Sequence, residues 1–147
     1  MSPQLAYYPT LVFDCDGVVL NSNRIKTDAF RAVTLPFGDS ASSALVDFHT
    51  QHGGVSRYAK FEHFVDSILP THAPDVIVGD QSEFLHSLLA EFAAEVKAGL
   101  LRCEVAPGLT ELHQAMPDTR WFIVSGGDQA ELREVFEQRG LAYYFDG

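Results

Sequence analysis

Apolar positions along this chain come in two textures. Leu11-Val12-Phe13 is an unbroken run of strand-formers that stops at Asp14-Cys15-Asp16-Gly17, and Trp121-Phe122-Ile123-Val124 is a second run, stopping at Ser125-Gly126-Gly127. Runs without polar alternation predict strands covered on both faces, as in a parallel sheet. Elsewhere the apolar spacing is helical. Asn21 and Ser22 offer cap chemistry ahead of Ile25, Ala29, Ala32 and Val33, with a stop at Pro36. Ala44, Leu45 and Phe48 mark a helix ended by Gly53-Gly54. Tyr58, Phe61, Phe64, Val65, Ile68 and Leu69 mark another, ended by Pro70. Asp80 and Glu83 resemble a capping box before Phe84, Leu88, Phe92 and Val96, with Gly99 as C-cap. Leu109, Leu112 and Met116 form a helix between Pro107-Gly108 and Pro117, and Asp128 to Arg139 another, closed by Gly140. The order is strand, helix, a block of helices, helix, strand, helix: an α/β sheet interrupted by a helical insertion.

Bulk composition narrows the possibilities. The 147 residues are 46% hydrophobic, enough for a real core, and 20 acidic against 10 basic side chains argue against a nucleic-acid partner. No apolar run approaches a membrane span. Cys15 and Cys103 form neither a disulfide framework nor a CxxC pair, which fits a reducing, cytoplasmic setting.

The chemistry sits at the two strand ends. Asp14 and Asp16, two apart in extended chain, leave the strand toward the same face, and Gly17 permits a sharp turn. Two carboxylates side by side call for a cation between them or a proton on one of them. Ser125-Gly126-Gly127, between a strand and a helix start, offers a hydroxyl and backbone N–H groups to an anionic oxygen, helped by the helix dipole. If the strands are parallel, both loops lie at their carboxyl ends, where ligands of open α/β sheets bind. A calcium loop is rejected, because Val18-Val19-Leu20 supplies none of the further oxygen ligands. His49, His52 and His63 lack a carboxylate or cysteine to complete a metal set and are read as surface or boundary positions.

Phe13-Asp14-Cys15-Asp16-Gly17-Val18-Val19 with Asn21-Ser22 resembles the first signature of the haloacid dehalogenase superfamily in its phosphatase branch. Ile123-Val124-Ser125-Gly126-Gly127 resembles its second. The helical block is placed like that family's cap, as in phosphoglycolate-phosphatase-like and β-phosphoglucomutase-like enzymes. The resemblance implies a Rossmann-like core with an incomplete parallel sheet, residues 1–20 and 101–147, and a helical cap, residues 21–100. It implies a Mg²⁺-dependent phosphatase acting on a small phosphorylated metabolite, such as a sugar phosphate. Asp14 would be the nucleophile and a metal ligand. Asp16 would be the general acid and base, with its backbone carbonyl on the metal. Ser125 would hold phosphoryl oxygens, aided by Gly126 and Gly127. Gly53-Gly54-Val55-Ser56-Arg57-Tyr58-Ala59-Lys60 resembles the family's specificity segment, with Arg57 and Lys60 over an anionic substrate.

Two family elements do not occur before Gly147: a lysine after a third strand and a later acidic metal-binding segment. Lys26, Lys60 and Lys97 are the only lysines, and none follows a core strand. The expectation is therefore an enzyme cut short, with weak metal binding, impaired turnover, and an apolar edge on the Leu11–Asp14 strand that either pairs with another copy or is covered by a rearranged segment. A non-catalytic phosphate-binding or regulatory module and a phosphomutase stay open as rivals.

Overall fold

The computed structural model describes residues 8–147. In chain order the elements are β1 (Thr10–Asp14), α1 (Ile25–Thr34), α2 (Asp39–Gln51), α3 (Arg57–His63), α4 (Leu69–His72), α5 (Gln81–Arg102), α6 (Leu109–Ala115), β2 (Arg120–Val124) and α7 (Gln129–Gln138). The chain divides into two compact units, Met1–Asn23 with Gly99–Gly147, and Arg24–Ala98.

In the first unit β1 and β2 pair in parallel, with Leu11 opposite Trp121, Phe13 opposite Ile123 and Asp14 opposite Val124. Leu11, Phe13, Trp121 and Ile123 therefore share one face. That face is closed: Trp121 is fully buried, Phe13 lies 4.8 Å from it, and Phe145 packs on both rings at 5.8 Å. The other face is open. Val12 is 62% and Val124 65% exposed, so the expectation that both strands are covered on two sides is overturned. An apolar run reports strand-forming residues; it cannot report how many layers lie over them. Among the described residues the edge of β1 away from β2 carries no strand. The far edge of β2 is met by Asp146 and Gly147, through Asp146 N–H to the Trp121 carbonyl (2.7 Å) and Ile123 N–H to the Gly147 carbonyl (2.8 Å). Arg139 of α7 donates to the carbonyls of Leu100 (2.7 Å) and Cys103 (2.6 Å), satisfying acceptors that the end of α5 leaves without helical partners.

The second unit is all helix. Phe30, Phe61 and Phe92 are buried in mutual ring contact, with centroids 4.3–5.5 Å apart. Boundaries depart from the sequence pattern at three places. α1 starts at Ile25, with Arg24 at the cap position and no side-chain cap, so Ser22 is not a helix cap. Pro70 does not stop a helix. A π-helical segment, Phe64–Ile68, runs directly into α4, and Pro70 lies in the first turn of α4 without ending the helical run. Gly99 does not end α5, which continues to Arg102 and contains the second crossing between units. The Asp80 cap forms as expected, accepting from Glu83 N–H at 3.0 Å.

Candidate active site

Asp14 is the last residue of β1, and Val124, its partner across the parallel ladder, is the last of β2. The loops carrying Asp16 and Ser125 thus leave the same end of the sheet side by side. Strand sense is what residue types alone left open. With it, Asp14, Asp16, Ser125, Gly126 and Gly127 all lie at one end of one small sheet, within the first unit. Asp14 is exposed and Asp16 half-buried.

The turn after β1 is tightly built. Leu20, Val19 and Val18 N–H groups all donate to the Cys15 carbonyl at 3.0–3.2 Å, and Gly17 N–H donates to the Leu20 carbonyl at 2.8 Å. Gly17 has φ 77°, a left-handed conformation that favours glycine, and a Cβ there would meet the Asn23 side-chain amide at 2.6 Å and push it aside. Cys15 points into the core and is fully buried, as its place between the aspartates implies. Asp16 Oδ1 accepts from the Ser22 hydroxyl at 2.7 Å. The sequence singled out Ser22 for the wrong task; what could have found this contact is a small hydroxyl residue six positions after an acid, across a glycine turn.

At the second loop, Gly127 N–H donates to Ser125 Oγ at 3.1 Å, so that member of the expected nest already has a partner. Asp128 caps α7, accepting from Glu131 N–H at 3.0 Å. Its carboxylate therefore occupies the positive end of the α7 dipole, which reduces the help the dipole gives to an incoming anion. Ser125 also borders a cavity of about 410 Å³ with Leu132, Arg133, Phe136 and Gly147.

Arg57 and Lys60 belong to α3 in the second unit. Arg57 lies over the Phe92 ring, 4.8 Å from its centroid. Lys60 is only 3% exposed. Its ammonium donates to His49 Nδ1 at 2.8 Å and sits 5.6 Å from the Phe30 centroid. Since Nδ1 accepts, Nε2 carries the imidazole proton and donates to Thr27 Oγ1 at 3.1 Å. Burial, then Lys60 and Lys26, lowers His49 to about 4, which keeps it neutral. Burial and Lys26 lower Lys60 as well. The expected place of Lys60 over a substrate is therefore not seen within its unit, where its ammonium is turned to an internal contact with His49. His52 and His63 stack on Phe48, at 4.2 and 4.0 Å.

Oxygen donors alone, from Asp14 and Asp16, suit a hard cation such as Mg²⁺. No group of three or more histidine, cysteine or acidic side chains that could hold a metal ion occurs among the described residues. No helix among them is long and apolar enough to cross a membrane.

Comparison with known proteins bears on this arrangement. Among the solved structures that share the fold are the following three. A candidate β-phosphoglucomutase from Thermotoga maritima is 17% identical with TM-score 0.62, covering 93% of this chain and 58% of that one. A candidate phosphoglycolate phosphatase from Lactobacillus plantarum is 21% identical with TM-score 0.60, covering 95% and 60%. A predicted phosphoglycolate phosphatase from Haemophilus somnus is 12% identical with TM-score 0.65, covering 95% and 60%. The chain thus spans a little under two-thirds of the length of these structures. No curated protein matches the sequence. The family model for haloacid dehalogenase-like hydrolases matches residues 8–147. Nearly the whole chain, both strand ends included, is covered by that match, and the chain belongs to the haloacid dehalogenase-like hydrolases.

Proposed function

We propose that this chain carries the nucleophile half of a Mg²⁺-dependent phosphomonoester hydrolase acting on a small phosphorylated metabolite, with a sugar phosphate as the model substrate. The observation that carries the reading is the parallel register pairing Asp14 with Val124, which sets Asp14 beside the loop of Ser125. An Asp14 oxygen attacks phosphorus and the bond to the leaving oxygen breaks, giving an aspartyl-phosphate. Asp16, protonated at the outset, gives its proton to that oxygen, because an alkoxide is a poor leaving group without one. Asp16, now a carboxylate, takes a proton from the water that attacks the aspartyl-phosphate. Phosphate leaves and Asp14 is regenerated. The Ser125 hydroxyl donates to a phosphoryl oxygen, with the Gly126 N–H beside it. Asp14 and the Asp16 main-chain carbonyl would hold Mg²⁺, which when bound offsets the charge gathered on the phosphoryl oxygens. The helical unit serves as a cap, with Arg57 the cation it offers to substrate.

The test is release of inorganic phosphate from an aryl phosphate and a sugar phosphate with Mg²⁺. It is run on this chain and on the chain extended by the further core that its structural relatives possess. Hydrolysis that Asp14→Asn lowers by at least about 10³-fold supports the reading. Phosphate binding with no turnover in either form replaces it with a non-catalytic binding module, and transfer to a sugar hydroxyl instead of water replaces it with a phosphomutase.

A further inference from the structure

We propose that β1 is a self-complementary edge on which a second copy of this chain docks, antiparallel and centred on Val12, bringing the partner's Arg120 into the same side-chain row as Asp14. The pairing does not depend on the hydrolase reading. Arg120 N–H donates to the Pro9 carbonyl at 3.0 Å, and the register sets Thr10 opposite Arg120. In a parallel ladder the main-chain groups facing one neighbour alternate along the strand. Pro9, Leu11 and Phe13 therefore turn theirs toward β2, and Thr10, Val12 and Asp14 turn theirs to the other edge. Among the described residues no strand meets them there. Val12 lies at the middle of the strand and is 62% exposed. A row of unpaired N–H and C=O groups is a template for another strand.

The occupant is a second copy because the edge complements itself. A two-fold axis perpendicular to the sheet makes the contact isologous. Opposite residues of an antiparallel pair share a face, so the axis runs through a residue that faces its own copy. With the axis at Val12, Val12 faces Val12, Leu11 faces Phe13, and Thr10 faces Asp14. Every outward residue of the strand then exchanges N–H and C=O bonds with an outward residue of the partner. Moving the axis to Leu11 or Phe13 leaves one of them facing beyond the strand. Moving it to Asp14 sets two carboxylates against each other. The centred register is also complementary in charge. Thr10 has Arg120 beside it on β2 and Asp14 has Val124, so the row across the joined sheets reads Val124, Asp14, the partner's Thr10, the partner's Arg120. Arg120 is exposed, with its guanidinium 5.8 Å from the Phe122 ring centroid. Its side chain is long enough to turn across a threonine and reach a carboxylate. The axis repeats that contact at the other end, so each copy lends a cation to the strand end that carries the other's Asp14.

The test is sedimentation velocity of this chain from about 10 to 300 µM, in about 0.3 M salt because two copies of net charge -10 repel at long range. One short strand pair buries little surface, so the expected dimer is weak, with a dissociation constant on the order of 10–100 µM. Val12→Pro deletes the outward N–H and leaves the bonds to β2, and is expected to weaken the dimer by more than about 10-fold. Should it melt below the measuring temperature, Val12→Lys, which sets like charges face to face at the axis, is read in its place. Arg120→Glu is expected to weaken the dimer about 5-fold, and Arg120→Lys less than about 2-fold. A parent that stays a single chain throughout the range overturns the proposal, and a slowly exchanging Val12 amide in that monomer means that the chain covers its own edge. A dimer indifferent to both Val12 variants overturns the use of this edge. A dimer that a Val12 variant breaks and Arg120→Glu leaves unchanged overturns the register. None of these readouts needs turnover, so failure here and failure of the hydrolase reading are told apart.

Discussion

The two units solve the burial of aromatic surface differently. In the helical unit Phe30, Phe61 and Phe92 meet one another, with Phe64, Leu45 and Val96 buried as well. Even a lysine is drawn inside and paired with a neutral imidazole. In the sheet unit the Trp121 face is packed, but Val12 and Val124 are left open on the opposite face. The helical unit closes its aromatic residues among themselves, whereas the sheet unit leaves Val12 and Val124 exposed on one face of the strands. The contrast teaches that the two units of one chain can differ in how fully they cover their own apolar surface.

Substitutions can break or sharpen that contrast. The largest effect is expected for Phe92→Ala, a cavity in a closed core, at about 3–5 kcal/mol by denaturant unfolding. A value under about 1 kcal/mol would mean that the aromatic cluster is not a closed core. Next comes acid. His49 titrates near 6.5 when unfolded and about 4 when folded, so its contribution is complete above pH 6.5 and is lost as pH falls from 6.5 toward 4. Melting scans across that window should show a loss of ~1–2 kcal/mol that His49→Gln removes, whereas an acid transition indifferent to His49 would break the link between burial and neutrality. Asp128→Ala should cost ~1 kcal/mol through the lost α7 cap and, by vacating the positive helix end, tighten phosphate binding measured by calorimetry. Weaker phosphate binding would count against that account. Smallest is Val12→Thr, within about 0.5 kcal/mol because the side chain already faces solvent. If it instead cost as much as Phe92→Ala, that face would have to be covered in solution.

Residue types carried far at the strands and little at their surroundings. Both strand ends could be placed because each apolar run stops at residues with special chemistry, Asp14-Cys15-Asp16-Gly17 and Ser125-Gly126-Gly127. That these ends are neighbours required the parallel pairing, which depends on the whole connection between them. The open face of Val12 escaped detection because periodicity cannot count layers. Gly99 inside α5 and Pro70 inside α4 are cases where tertiary packing and a π-helical lead-in outweigh the local propensity to stop. Lys60 looked like a solvent-facing cation. Its inward turn toward His49 depends on packing between helices far apart in sequence, which no short window records.

The bond from Gly127 N–H to Ser125 Oγ gives the second loop a direction. A hydroxyl that has already received a donor on its lone pair is polarised and gives up its own hydrogen more readily to the next acceptor. Ser125 is thereby wired to act outward, as a giver and not a taker. Gly127→Pro, which deletes that single N–H, would weaken the grip of the serine on an anion without touching the serine itself.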